Sequence, residues 1–192
     1  MQKIDEGRLE TDNQYRYDYL CGFIGFGKEE AALIHAFAPH LGPHIAELVD
    51  KTYEKLLSYD ATARHFVPRQ DGFGGDLPAS LGDLGPDHPQ IQFRKDHLNR
   101  YFMQLIGRSY DAGRVKYLDM VGKIHTPGAG NKEINVPLVQ MNALMGLLSD
   151  TLTKAIAESP LDSEQSLQTQ RAFNKLLWIQ NDFINRHYTG TS

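Results

Sequence analysis

The sequence predicts an all-α fold of about seven or eight helices, on three observations. Apolar residues recur at i, i+3, i+4 and i+7 in segment after segment, the spacing that lines one face of a helix. The breaks between those segments fall at glycine and proline, which punctuate helices. No alternation of apolar and polar residues persists as a strand pattern, and no internal repeat is found.

Residues 1 to about 12 are polar and aperiodic, and are expected to form a tail that docks on the body. The stretch from Asp12 to Phe26 (NQYRYDYLCGFIGF) is unusually aromatic, too apolar for a linker and too short for a domain. Residues 1–26 are therefore expected to be an N-terminal extension lying against a single domain of 1–192. Lys28 to Ala38 has acidic residues in its first turn and apolar side chains at Ala31, Ile34, Phe37 and Ala38, a short helix that Pro39 is expected to end or kink.

From Pro43 the period is clear, with Ile45, Leu48, Val49, Thr52, Tyr53, Leu56 and Leu57 on one side. Tyr53 sits inside that stripe, where a tyrosine ordinarily gives its hydroxyl to a backbone carbonyl. A short helix through Thr62 ends near Phe66. Residues 67–90, rich in Gly, Pro and Asp, read as a long surface loop, a length often functional or mobile in a compact domain. Ile91, Leu98, Phe102 and Leu105 then mark a helix from Gln90 to Ile106, which Gly107 breaks.

In the next helix Leu118, Val121, Gly122 and His125 share one face, so His125 points where the apolar side chains point. The helix-breaking run TPGAGNKEIN follows, and Pro137 suits the start of a helix whose stripe is Leu138, Met141, Met145, Leu148 and Leu152. Ser159-Pro160 ends that helix near Glu158. A last long helix begins near Ser163 or Glu164 and carries Phe173, Leu176, Leu177, Phe183 and Ile184 inward as far as about His187.

Composition narrows the function. Of 192 residues, 41% are hydrophobic and 23% charged, an ordinary soluble globule. The net charge of −4 offers no basic footprint for nucleic acid or anionic membrane. No run is long enough to span a membrane and the N-terminus lacks a signal-peptide core, so a cytoplasmic protein is expected. The single cysteine, Cys21, excludes an internal disulfide and a Cys-rich metal site. There is no phosphate-binding glycine loop, no Gly-x-Ser-x-Gly elbow and no His-Glu-x-x-His or Glu-x-x-His pair. His125 has two readings on spacing alone: a histidine that satisfies the C-terminal carbonyls of its helix, or an imidazole that coordinates a metal or haem iron between helices.

The segments DKTYEKLLSYDATARHF (50–66), GRSYDAGRVKYLDMVGKIHT (107–126) and NKEINVP (131–137) resemble the protoglobins and the globin domains of globin-coupled sensors. The resemblance runs from about Asp12 to Tyr188 and implies a globin-like helical sandwich with an N-terminal extension helix. It implies haem b (iron protoporphyrin IX) as cofactor, with His125 as proximal ligand, Tyr53 as distal donor and Phe66 packed on the haem. Val121 would lie beneath the ring, and Val139, Leu144 and Leu147 would close the slot. The departures are Thr52, Leu98 and Leu147, where well-known members carry bulky aromatics. The expected function is a gas-binding or gas-sensing module for dioxygen, carbon monoxide or nitric oxide, more a binder than an enzyme, free-standing because the chain stops soon after its last helix. A haem enzyme acting on nitric oxide or peroxide is the first alternative, disfavoured because the sequence suggests no distal His–Arg pair suited to peroxide cleavage, although Tyr53 and open ferric iron could support slow redox turnover; a haem-free helical protein binding a lipid or partner helix is the second. Surplus apolar residues on the last two helices, Trp178 among them, together with the resemblance, imply a homodimer.

Overall fold

The computed structural model describes residues 1–129 and 131–188, so Gly130 and 189–192 of the expected domain lie outside the described residues. Nine α-helices are present among them: α1 Glu6–Thr11, α2 Asn13–Ile24, α3 Lys28–Leu41, α4 Ile45–Leu57, α5 Asp60–Ala63, α6 Pro89–Gly107, α7 Ala112–Lys123, α8 Leu138–Ala157 and α9 Ser163–Asn185. The described residues contain no strand.

Two differences from the sequence reading have local causes. The expected tail contains α1, whose six residues are too few to display a period; its start is fixed by Asp5, which accepts from the Arg8 amide, and Asp12 then caps α2 by accepting from the Tyr15 amide. Pro39 does not end α3. It removes the hydrogen bond to the His35 carbonyl, but the helix continues to Leu41, whose burial holds the last turn.

Packing centres on α9, which lies against α3, α7 and α8 and contributes Phe173, Leu176, Ile179, Phe183 and Ile184 to the core. Helix α4 packs on α6 and touches α8, while α2 lies on α7 and α9. The extension is fastened by charge as well as by apolar contact: Arg16 grips Asp182 of α9 with two bonds, 2.5 and 2.9 Å, and Tyr17 meets Phe183. No helix is long and apolar enough to cross a membrane, among the described residues.

The turn between α6 and α7 positions the site. Asp111 caps α7 by accepting from the Gly113 and Arg114 amides. The buried Arg114 guanidinium reaches back to the Gln104 and Leu105 carbonyls in the last turn of α6, where carbonyls lose their helical partners or keep only long bonds such as that from the Arg108 amide to Gln104. Tyr110 donates to the Leu105 carbonyl as well. The sequence R-S-Y-D-A-G-R is thus a joint that sets the angle of α7.

Candidate functional site

A cavity of about 440 Å³ opens between α4, α6, α7, α8 and α9, and His125 lines it. His125 stands two residues past the end of α7, yet its Nδ1 remains 2.8 Å from the Val121 carbonyl, one turn back. A carbonyl oxygen can only accept, so Nδ1 carries the hydrogen and Nε2 keeps its lone pair. The Val136 amide donates to the His125 carbonyl at 3.0 Å and ties the following loop to the same point. Burial pushes the imidazole down to about 4; the bond to Val121 opposes that shift and the charge of Arg94 adds to it. The ring retains accessible surface because it faces the cavity, although it lies deep in the body. At neutral pH it is a neutral imidazole with a free Nε2, the form that binds metals.

Tyr53 and Phe66 are buried and in contact, with ring centroids 5.7 Å apart. Both line the cavity, together with the half-buried Leu98, Val121 and Leu144. Two expected lining residues do not. Val139 is 73% exposed, and Leu147 is half-buried on the flank of α8 outside the cavity. The face of α8 turned to the cavity carries Met141, Leu144, Met145 and Leu148. At about 100° per residue, Val139 lies roughly 200° round the helix from Met141 and is thus directed away.

The sequence reading overlooked Arg94. It stands three residues after Ile91 and four before Leu98, on the inward stripe of α6, and a charged residue in an apolar stripe was the signal available. Its guanidinium lies over the Phe66 ring, 4.7 Å from the centroid, and beside the Tyr53 hydroxyl. Burial pushes the Tyr53 phenol up to about 12 while Arg94 counteracts it, and burial lowers Arg94 itself. His65 also lines the cavity. Five cavity-lining residues have a buried polar atom without a hydrogen-bond partner: His65 Nε2, Arg94 Nε, Tyr101 Oη, Gln140 Oε1 and Gln180 Oε1.

No group of three or more His, Cys, Asp or Glu residues that could hold a bare metal ion occurs among the described residues. The imidazole of His125 suits a metal centre that brings its own ligands and needs one from the protein.

In fold the molecule is a globin. It is similar to the globin domain of the Geobacter sulfurreducens globin-coupled sensor, with a TM-score of 0.71 and 21% identity over 90% of this chain and 97% of that one. Residues 13–192 match the Protoglobin family model, and the chain belongs to that family. The match includes α2 and begins just after α1. No curated protein sequence matches the chain.

Proposed function

We propose that the protein is a haem-b globin that binds dioxygen, carbon monoxide or nitric oxide reversibly, as a gas-binding or sensing module, with His125 as the sole protein ligand to iron. The observation that carries this reading is the neutral imidazole of His125, held by its own helix through Nδ1 and lining a largely apolar cavity. The cavity volume falls within the roughly 300–1,000 Å³ usual for cofactor sites. Val121, Leu98, Leu144 and Phe66 would hold the flat apolar face of the haem, and bound haem would supply the iron to which a gas attaches. Tyr53 would donate its hydroxyl to a gas that gains negative charge on binding. A homodimer through α8 and α9 is part of the proposal.

The test is absorption spectroscopy of the haem-loaded protein. A Soret band that moves on adding carbon monoxide is expected, and His125→Ala should lose most of the haem or hold it weakly, with recovery on adding imidazole. An unchanged five-coordinate ferrous spectrum in His125→Ala would remove His125 from the site. A haem enzyme remains the second reading, favoured by His65 and Arg94 in the same cavity. Peroxide or nitric oxide turnover by the loaded protein distinguishes it.

A further inference from the structure

Arg94 is the residue that the gas-binding reading does not use. An arginine cannot give up its proton in a protein, so partial burial cannot neutralise it, and a charge held inside the body without a carboxylate partner is costly. None of the residues lining the cavity is an aspartate or glutamate. Among the described residues no carboxylate pairs with Arg94, and its Nε has no hydrogen-bond partner. Its neighbours are neutral: the Phe66 ring beneath it and the Tyr53 hydroxyl beside it.

A second arginine, Arg100, lines the same cavity but is exposed. It marks the rim, where any carboxylate at the edge of a bound cofactor would meet solvent. Arg94 is a different position: the residue as a whole is half-buried because it lines the cavity, while its Nε is buried. It presents a planar fork suited to two-point contact, in a slot whose other walls are largely apolar and where charge pairing is strengthened by the low dielectric. Tyr53 supplies a second donor at the same place.

We infer that Arg94 and Tyr53 form a binding site for a small inorganic anion of the nitrite or azide class inside the cavity. The site makes the protein a receptor for anions as well as for neutral gases. It rests on the haem reading only in so far as the anion also reaches iron; the guanidinium and the cavity do not require haem.

The experiment uses the full chain, wild type, Arg94→Met and Arg94→Lys, with sodium azide and sodium nitrite as probes at constant ionic strength. In the haem-free chain, calorimetric titration should give an affinity roughly ten- to a hundredfold weaker in Arg94→Met, the range for a hydrogen-bonded charged group, with Arg94→Lys between. In the ferric haem-loaded chain, the azide affinity read from the Soret shift should weaken in the same order. Equal anion affinities in wild type and Arg94→Met overturn the inference. So does an Arg94→Met variant that fails to retain haem while its haem-free form binds azide as wild type does, since the guanidinium then serves a carboxylate of the cofactor. A wild-type chain that takes up no haem refutes the gas-binding reading alone, and the haem-free titration still decides the anion site.

Discussion

Among single residues, Tyr53 gives the sharpest prediction. Its inward position was legible from the stripe it shares with Val49 and Leu56, but the usual fate of a buried phenol, a bond to a backbone carbonyl, is not what surrounds it: its polar neighbour is Arg94. The hydroxyl is therefore available to a ligand. Replacing it in Tyr53→Phe removes a hydrogen bond to a partly charged acceptor in a dry slot, worth on the order of 1–2 kcal/mol. Dioxygen should then dissociate roughly five to thirty times faster by stopped-flow, while carbon monoxide, which takes on far less charge, leaves at nearly its original rate. Both rates rising together would indicate a loosened pocket instead, and neither rising would leave Arg94 as the donor to a bound gas. The residues misassigned from sequence fail for a related reason. Val139 and Leu147 are apolar like Leu144, and only the rotation of α8 about its axis decides which of the three meets the cavity.

Helices, in contrast, were largely readable, because a period of apolar residues extends over many positions and does not depend on any one of them. Helices α3 to α9 follow that period or its breaks, whereas α1, with no buried residue, has only its Asp5 cap to announce it. The close approach of α7 to α9 was not readable, although Gly122 had been placed on the apolar face. A methyl group at Gly122 would stand 2.3 Å from the Phe183 carbonyl oxygen and 3.0 Å from the Ile184 Cα. Those are backbone atoms and cannot rotate away. Overpacking of this kind costs about 1–3 kcal/mol, against roughly 1 kcal/mol gained from the better helix propensity of alanine. Gly122→Ala, at a net cost of up to about 2 kcal/mol, should lower the melting temperature by up to roughly 8 °C in a thermal scan. Because α7 carries the His125 turn, haem should also transfer faster from this variant to an acceptor globin. A melting temperature at or above that of the wild type would show that α9 can yield.

For the molecule as a whole, α8 and α9 leave Val139, Leu167 and Trp178 exposed, Trp178 by 61%. Tryptophan is the residue type most enriched at energetic centres of interfaces, and a stable interface buries about 1,600 Å² in total. Light scattering should return twice 21.7 kDa at micromolar concentration, and Trp178→Lys should return the single mass. A wild-type monomer rejects the dimer. A second property of the whole molecule comes from its buried phenols. Burial raises Tyr53 and Tyr188 to about 12 and also raises Tyr17, Tyr101, Tyr110 and Tyr117. In the unfolded chain these groups lose their protons near pH 10, while in the folded chain they keep them to higher pH. Between the two the folded state binds more protons, so stability falls as pH rises from about 10 and is fully present below that. Tyr53 alone, almost wholly buried, contributes on the order of 2–3 kcal/mol to this loss by pH 12. In an alkaline titration of the haem-free chain, the tyrosinate absorbance of the buried phenols should therefore appear together with loss of helical circular dichroism, in one cooperative step. Tyrosinate rising smoothly near pH 10 while the helices persist would mean that water reaches these phenols in the folded state.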